Sequence, residues 1–414
     1  MGGSKRPPSL SPKAAPWLAE DGVRAVFAAL SAAGHEARVV GGAVRNALLQ
    51  RPVSDIDFAA TATPMETESA CLRAGLRVIP TGVAHGTVTV IAGGRSFEVT
   101  TLREDVETDG RHAVVRFGRD WRRDAERRDF TMNALYAEAD GRIFDPIGGL
   151  PDALARRVRF IGDARQRIRE DYLRSLRFFR FHAQYGRGAI DRAGLDAALA
   201  ERSGLRRLSA ERVRAETFKL LAAPGAADAV EAMSEFGVLD AVLPGPVNLA
   251  RLNRMAALDR RAPDPLRRLA ALTLFAEEDA ERLGARLRLS NREAKRLAAM
   301  ARFMRFRGDE KAARRALYAL GPELYADAIA MAQADAGDKS PRWRGLRGLP
   351  LRWTAPRPPV SGADLAPLGF HGPALGAALR RVEALWIEAD FTADRAALLR
   401  AAARMAESKL PEEA

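Results

Sequence analysis

The sequence predicts an α+β protein: a small mixed sheet with flanking helices occupies roughly the first third, and helices fill the rest. Three observations carry this. Runs rich in β-branched residues with period-two alternation, Ala37–Val40, Thr87–Ile91 and Phe97–Thr100, all lie before residue 145. Beyond Gly149 such runs fade, and Ala/Leu/Arg segments of helical period take over. Proline and glycine then break those helices at Pro224-Gly225, Pro244-Gly245-Pro246 and Pro263. The 414 residues, 47% hydrophobic, suit two or three domains and exclude a wholly disordered chain.

In chain order, residues 1–17 read as a flexible leader rich in Pro, Ser and charge. Leu18, Val23, Val26, Phe27 and Leu30 recur at helical spacing, which predicts an amphipathic helix that ends near Gly34. The strand Ala37–Val40 runs into Gly41-Gly42, and Asp55-Ile56-Asp57-Phe58 reads as the next strand. These define a head over 18–150. A helical neck (151–225) and a helical body (226–345) follow. A proline- and tryptophan-containing break at 345–359 introduces a helical tail, 346–414.

Composition limits the chemistry. The single cysteine, Cys71, cannot form an internal disulfide, and five scattered histidines offer no zinc-ligand spacing. No apolar run is long enough to span a membrane, and the first residues lack a secretion signal's apolar core, so the expectation is a soluble cytoplasmic protein. The net charge of +13 is carried almost wholly by arginine: Lys219 is the only lysine between Lys13 and Lys295. Compositional drift explains that as readily as selection for a polyanionic partner.

Four constellations carry chemistry. Val39-Val40-Gly41-Gly42-Ala43-Val44-Arg45 runs a strand through two glycines into a helix. Such a junction lets backbone N–H groups approach a phosphate that Arg45 neutralises, and it equally describes a plain tight turn. Asp55 and Asp57 at i and i+2 on a strand face one way, and such carboxylates repel unless a divalent cation sits between them. Hard oxygen ligands point to Mg²⁺; two solvated aspartates at a strand end is the alternative. Arg127-Arg128-Asp129-Phe130 resembles a helix cap with a solvated face. Between Ile168 and Tyr185, apolar Leu173, Leu176, Phe179 and Phe181 predict a helix packed on one side, on which Asp171 and Arg174 lie one turn apart. A surface ion pair and a base-reading pair both satisfy that spacing.

Together these stretches are specific. GGAVRN at 41–46 and DID at 55–57 resemble the signature of the nucleotidyltransferase superfamily that includes polymerase β. RRDFTMNAL at 127–135 and EDYLRSLRFFRF at 170–181 resemble the class II tRNA nucleotidyltransferases, the CCA-adding enzymes and their bacterial poly(A) polymerase relatives. AHGTVTV (84–90), FEVTTLR (97–103) and DPIGG (145–149) fall between them in the family's order. Asn46 departs from the aspartate usual there, which puts one local hydrogen bond in question.

The resemblance implies a polymerase-β-like head followed by an all-helical neck, body and tail. It makes Asp55 and Asp57 the metal-binding catalytic carboxylates and Glu98 the third carboxylate, on a strand whose neighbour Val99 faces the other way. Gly42 and Arg45 would hold the triphosphate, Arg128 the incoming nucleotide, and Asp129 the ribose hydroxyl. The Glu-Asp-x-x-Arg motif at 170–174 implies a protein template, with Glu170 orienting Arg174. A guanidinium supplies donors that cytosine and adenine accept, and the Asp171 carboxylate accepts from the exocyclic amine both bases carry. Guanine and uracil present a carbonyl there, and the unmet hydrogen bond costs about 1–3 kcal/mol. Arg177 and Arg180 continue the spiral at further nucleotide-contacting positions. In Leu208-Ser209-Ala210-Glu211-Arg212, Ser209 reads as a helix cap and Arg212 as a bridge to the core; the resemblance leaves open a structural role and a nucleotide contact through Arg212.

The implied activity is addition of C, C and A to tRNA 3′ ends from CTP and ATP with Mg²⁺. The acceptor arm and 3′ end of tRNA are the partner; no membrane and no obligate protein partner are expected. A poly(A) polymerase, or an enzyme adding only CC or only A, would share every head motif. A non-catalytic RNA-binding protein is the distant alternative, and three clustered carboxylates argue against it.

Overall fold

The computed structural model describes residues 8–109, 112–243 and 245–407, and the chain divides into two compact units, 1–245 and 246–414. Among the described residues no helix is long and apolar enough to cross a membrane.

The first unit is built on a seven-stranded sheet. After α1 (Asp21–Ala32), the chain forms β1 (Ala37–Val40), α2 (Gly42–Leu48), β2 (Asp57–Ala60), α3 (Pro64–Arg73), β3 (Arg77–Ile79), β4 (Thr87–Ala92) and β5 (Arg95–Thr101). The strands β6 (Arg103–Asp109) and β7 (His112–Phe117) pair with each other, α4 (Trp121–Glu126) follows, and β8 (Tyr136–Ala137) and β9 (Ile143–Phe144) return to the main sheet. Its order is β3-β4-β5-β2-β1-β8-β9, and β2 and β5 run parallel with Asp57 beside Glu98. Phe58, Val99 and Val88 are buried, as the alternation requires, and Phe27, Phe58 and Phe97 stack edge to face beneath α1. The predicted first helix appears as α1, and Gly34, with φ 79°, ends it in the left-handed region.

Two expectations are corrected here. Asp55 does not share a strand with Asp57: β2 begins at Asp57, and Asp55 lies in the exposed approach to it, where its Oδ2 accepts from Ser54 Oγ at 2.9 Å. The turn from α2 through Pro52 delays the extended backbone by two residues. Nor is Ile168–Tyr185 one helix. After α5 (Leu150–Leu154), α6 (Ala164–Glu170) stops at Asp171, whose backbone is extended at φ −154° and ψ 107°, and α7 (Leu173–Tyr185) starts afresh. Tyr172 sits at that break against Gly204, where any Cβ would fall 2.0 Å from its ring, so only glycine admits this packing.

The rest of this unit is helical: α8 (Arg192–Ala200), α9 (Ala210–Ala222), α10 (Ala226–Glu235) and α11 (Leu239–Val242). Ser209 stands at the start of α9 but its side chain makes no capping hydrogen bond, contrary to the sequence reading. Phe130 packs on Phe181 and Phe160 at 4.9 and 5.0 Å between ring centres, and Phe160 stacks on Phe178 at 5.3 Å. This aromatic cluster fixes α7 against the 127–133 segment.

The second unit is helical throughout the described residues: α12 (Leu249–Leu258), α13 (Pro265–Thr273), α14 (Glu278–Leu287), α15 (Asn291–Phe303), α16 (Glu310–Ala336), α17 (Arg342–Arg347), α18 (Leu349–Arg352), α19 (Gly362–Leu365), α20 (Gly372–Glu388) and α21 (Arg395–Glu407). α16 breaks at Gly321, φ 73°, because Pro322 cannot continue a helix from the preceding turn. Buried Asp327 receives Arg267 and Arg296, each at 2.6 Å. One core gathers Leu317, Tyr325, Ile329 and Trp343, and a second, in α19–α21, gathers Leu365, Phe370, Val382 and Trp386.

Candidate active site

A cavity of about 590 Å³ opens in the first unit between the sheet and α7. Of the residues singled out from the sequence, Gly42, Arg45, Asp57, Glu98, Arg128, Asp129, Asp171, Arg174 and Arg177 line it; Asp55, Glu170 and Arg180 do not. Arg180 turns instead to Glu216 at 2.5 Å and lies over the Phe181 ring at 4.4 Å.

The floor is the β1–α2 junction. Gly41 takes φ 70°, a conformation that L side chains rarely adopt, and its N–H donates to the Leu135 carbonyl at 3.1 Å. That sharp turn starts α2 at Gly42 and brings Arg45 beneath the cavity. Arg45 is 6% exposed and donates to Asn133 Oδ1, to the Tyr185 hydroxyl at 2.8 Å and to Asn46 Oδ1 at 3.1 and 3.3 Å. Asn46 therefore keeps a local hydrogen bond, and its Nδ2 donates to the Pro52 carbonyl at 2.9 Å.

One wall is acidic. Asp57 and Glu98 are paired neighbours on parallel strands, and Asp55 approaches from outside the cavity. Burial, then Glu98, then Asp55 push the Asp57 carboxyl up to about 6, with Arg128 pulling the other way. Among the described residues no three His, Cys, Asp or Glu groups close around a point as a metal cage. The arrangement instead fits a hard cation held by one or two carboxylates, its remaining positions filled by phosphate oxygens and water. Such a cation would relieve the repulsion that raises Asp57.

The opposite wall is a set of guanidiniums, each fixed by a carboxylate. Asp124, its side chain 1% exposed, accepts from Arg127 at 2.8 Å, Arg128 at 3.0 Å and the Tyr136 hydroxyl at 2.8 Å. Burial pushes the Asp124 carboxyl up, but Arg128, Arg127 and the Tyr136 hydrogen bond outweigh it and bring it down to about 2. Asp129 Oδ1 accepts from Phe130 N–H at 2.8 Å and Asn133 Nδ2 at 2.9 Å, while its Oδ2 accepts from Arg177 Nε at 2.9 Å, so both its oxygens are engaged and one of them holds Arg177.

The α6–α7 break supplies the third element. The side chains of Asp171 and Arg174 do not bond to each other, although the Arg174 N–H donates to the Asp171 carbonyl at 2.9 Å. Arg174 donates to Glu170, as the motif implies, and to the Arg167 carbonyl at 3.0 Å. Asp171 accepts from Leu173 N–H at 3.1 Å and from Arg212 at 2.7 Å. The extended backbone at 171 thus turns the carboxylate and the Arg174 guanidinium separately into the same cavity. Arg212, which the resemblance left between a structural role and a nucleotide contact, lines the cavity as well. Its partner Asp171 lies 41 positions earlier, so the local pattern could not show their pairing.

Residues 37–159 match the poly A polymerase head domain, and residues 190–248 match the domain described as the probable RNA and SrmB-binding site of polymerase A. The mitochondrial CCA tRNA nucleotidyltransferase 1 of Mus musculus is 41% identical over 247 residues, 58% of this chain and 56% of that one. The CCA-adding enzyme of Geobacillus thermodenitrificans is 42% identical over 230 residues, 55% of each. The chain spans about half the length of the curated relatives it matches. The crystal structure of the Bacillus stearothermophilus CCA-adding enzyme in complex with CTP superposes with a TM-score of 0.73 at 26% identity, covering 97% of this chain and all of that one. The chain thus matches the poly A polymerase head domain and the RNA-binding domain that follows it, and over about half its length it is similar to a CCA tRNA nucleotidyltransferase of animals and to CCA-adding enzymes of bacteria.

Proposed function

We propose that this protein adds C, C and A to the 3′ end of tRNA from CTP and ATP without a nucleic-acid template and releases pyrophosphate. The observation that supports it best is one cavity that holds the Asp57 and Glu98 carboxylates, the Gly42 and Arg45 floor, and the separately held Asp171 and Arg174.

In this reading Asp55 and Asp57 hold Mg²⁺, with Glu98 beside them. Bound there, the metal would lower the pKa of the terminal 3′-hydroxyl and screen the triphosphate. Arg45 and Arg128 bind the phosphates and orient the α-phosphate for in-line displacement. Arg174 donates to the ring acceptors of cytosine or adenine, while Asp171, steadied by Arg212, accepts from their amine. Glu170, Asp129 and Glu216 hold the guanidiniums of Arg174, Arg177 and Arg180 in place. The neck (151–225), body (226–345) and tail (346–414) grip the tRNA acceptor arm through backbone contacts, for which a net charge of +13 is suited. We place the protein in the cytoplasm, in keeping with a single buried thiol.

The test is incubation with a tRNA lacking its 3′ CCA and each labelled nucleotide in turn, resolving products at single-nucleotide length. Addition of two C and one A is expected. A ladder of A refutes the assignment in favour of a poly(A) polymerase, and arrest after CC or addition of A alone marks a partial enzyme. No incorporation with any nucleotide supports the non-catalytic alternative.

A further inference from the structure

Arg45 differs from its neighbours. Arg128, Arg174, Arg177 and Arg212 are each paired with a carboxylate: Asp124, Glu170, Asp129 and Asp171. Every acceptor on Arg45 is uncharged: Asn133 Oδ1, Asn46 Oδ1 and the Tyr185 hydroxyl, whose ring also lies 4.0 Å from the guanidinium. Asp129 reaches it only through the Asn133 side chain and is itself engaged by Arg177. Burial lowers the Arg45 pKa, with Tyr185 and Asp129 acting against that. A cation so buried without an ionic partner is costly to the empty protein, and an anionic ligand removes that cost.

Asn46 is where the balance is set. Its Oδ1 faces both Nε and Nη2 of Arg45 at hydrogen-bond distance. A carboxylate of the same shape would place a full negative charge about 3 Å from the guanidinium and compete directly with a phosphate. We propose that Asn46 is an affinity-determining residue: by giving Arg45 an uncharged acceptor, it leaves that charge available and sets how tightly the site holds a polyphosphate, whatever the base. This rests on the reading of the cavity as a triphosphate site.

The test titrates inorganic pyrophosphate into the full chain, with EDTA and no nucleotide, by calorimetry. Asn46→Asp should weaken binding roughly tenfold, since the new carboxylate neutralises Arg45. Asn46→Ala loses the same Pro52 tether but adds no charge, and should stay within about threefold of wild type. In turnover, Asn46→Asp should raise KM for CTP and ATP by the same factor and leave the preference for CTP over UTP unchanged. Equal weakening in both variants means the amide acts through its Pro52 tether, and the proposal falls. Wild-type affinity in Asn46→Asp, or a changed base preference, also overturns it. A wild-type protein that does not bind pyrophosphate refutes the triphosphate reading itself.

Discussion

Asp124 offers the sharpest test of how the basic wall is held. Its side chain is 1% exposed and faces three donors: Arg127, Arg128 and the Tyr136 hydroxyl. Asp124→Asn keeps the shape but replaces one acceptor oxygen with an N–H₂ that must point at a guanidinium. Removing one partner of a buried ion pair costs about 3–5 kcal/mol. For a unit of this size that lowers Tm by about 10 °C. The wild-type pH profile gives an independent measure. The Asp124 carboxyl lies near 2 in the fold against 3.8 ordinarily, so its contribution is full above pH 4 and disappears as pH falls towards 2. That displacement corresponds to about 2 kcal/mol. Thermal melts of both proteins between pH 3 and pH 7.5 check both figures. The difference between them should be largest at neutral pH and shrink in acid. A loss under about 1 kcal/mol at pH 7.5, or a pH-independent difference, refutes the claim that Asp124 works as the ionised clamp of Arg127 and Arg128.

Other outcomes follow from the same geometry. Asp57→Asn should stabilise the metal-free protein at pH 8 by about 1–3 kcal/mol: a carboxyl raised to about 6 favours the fold at low pH and loses that advantage as pH rises past 3.8 towards 6. Added Mg²⁺ should raise Tm of the wild type but not of this variant, and equal shifts would take Asp57 out of the metal site. Asp171→Ala should cut the preference for CTP over UTP in kcat/KM about tenfold, by loss of one charged hydrogen bond; an unchanged ratio moves base selection elsewhere. Arg212→Met should shift the same ratio in the same direction by a smaller factor while Tm changes little, whereas a drop in Tm with the ratio intact would make Arg212 merely structural.

The acidic wall was legible because its signal is local. Alternation along Phe97–Thr100 put Glu98 and Val99 on opposite faces, and they are, but the buried face is that of Val99 and not, as the sequence reading had it, that of Glu98. The Gly41-Gly42 turn was equally readable, since few conformations join a strand to a helix so abruptly. The α6–α7 break was not. Glu170-Asp171-Tyr172-Leu173-Arg174 contains no proline or glycine, and its apolar spacing suits one continuous helix. What breaks it is tertiary: Tyr172 docks on Gly204, and Arg212 draws Asp171 out of the helical path. The early start predicted for β2 failed for a similar reason. Ile56 is buried and β-branched, yet the chain from Arg51 to Ile56 carries no regular structure and pairs with the sheet only from Asp57.

The break also bears on how a protein can read a base. On an unbroken helix, Asp171 and Arg174 would face each other one turn apart and satisfy each other, leaving little for a nucleotide. Here each has its own partner: Arg212 for the carboxylate, Glu170 for the guanidinium. Both line one cavity, which Arg212 lines with them. In the proposed reading, a carboxylate so held does not swing away from a guanine or uracil carbonyl, and the wrong base meets an acceptor that stays unsatisfied. A flexible aspartate would turn aside and lose that penalty. On that reading, refusal of the wrong base depends on Arg212 and Glu170 as much as on Asp171 and Arg174. The four residues form a unit because the helix stops at residue 171.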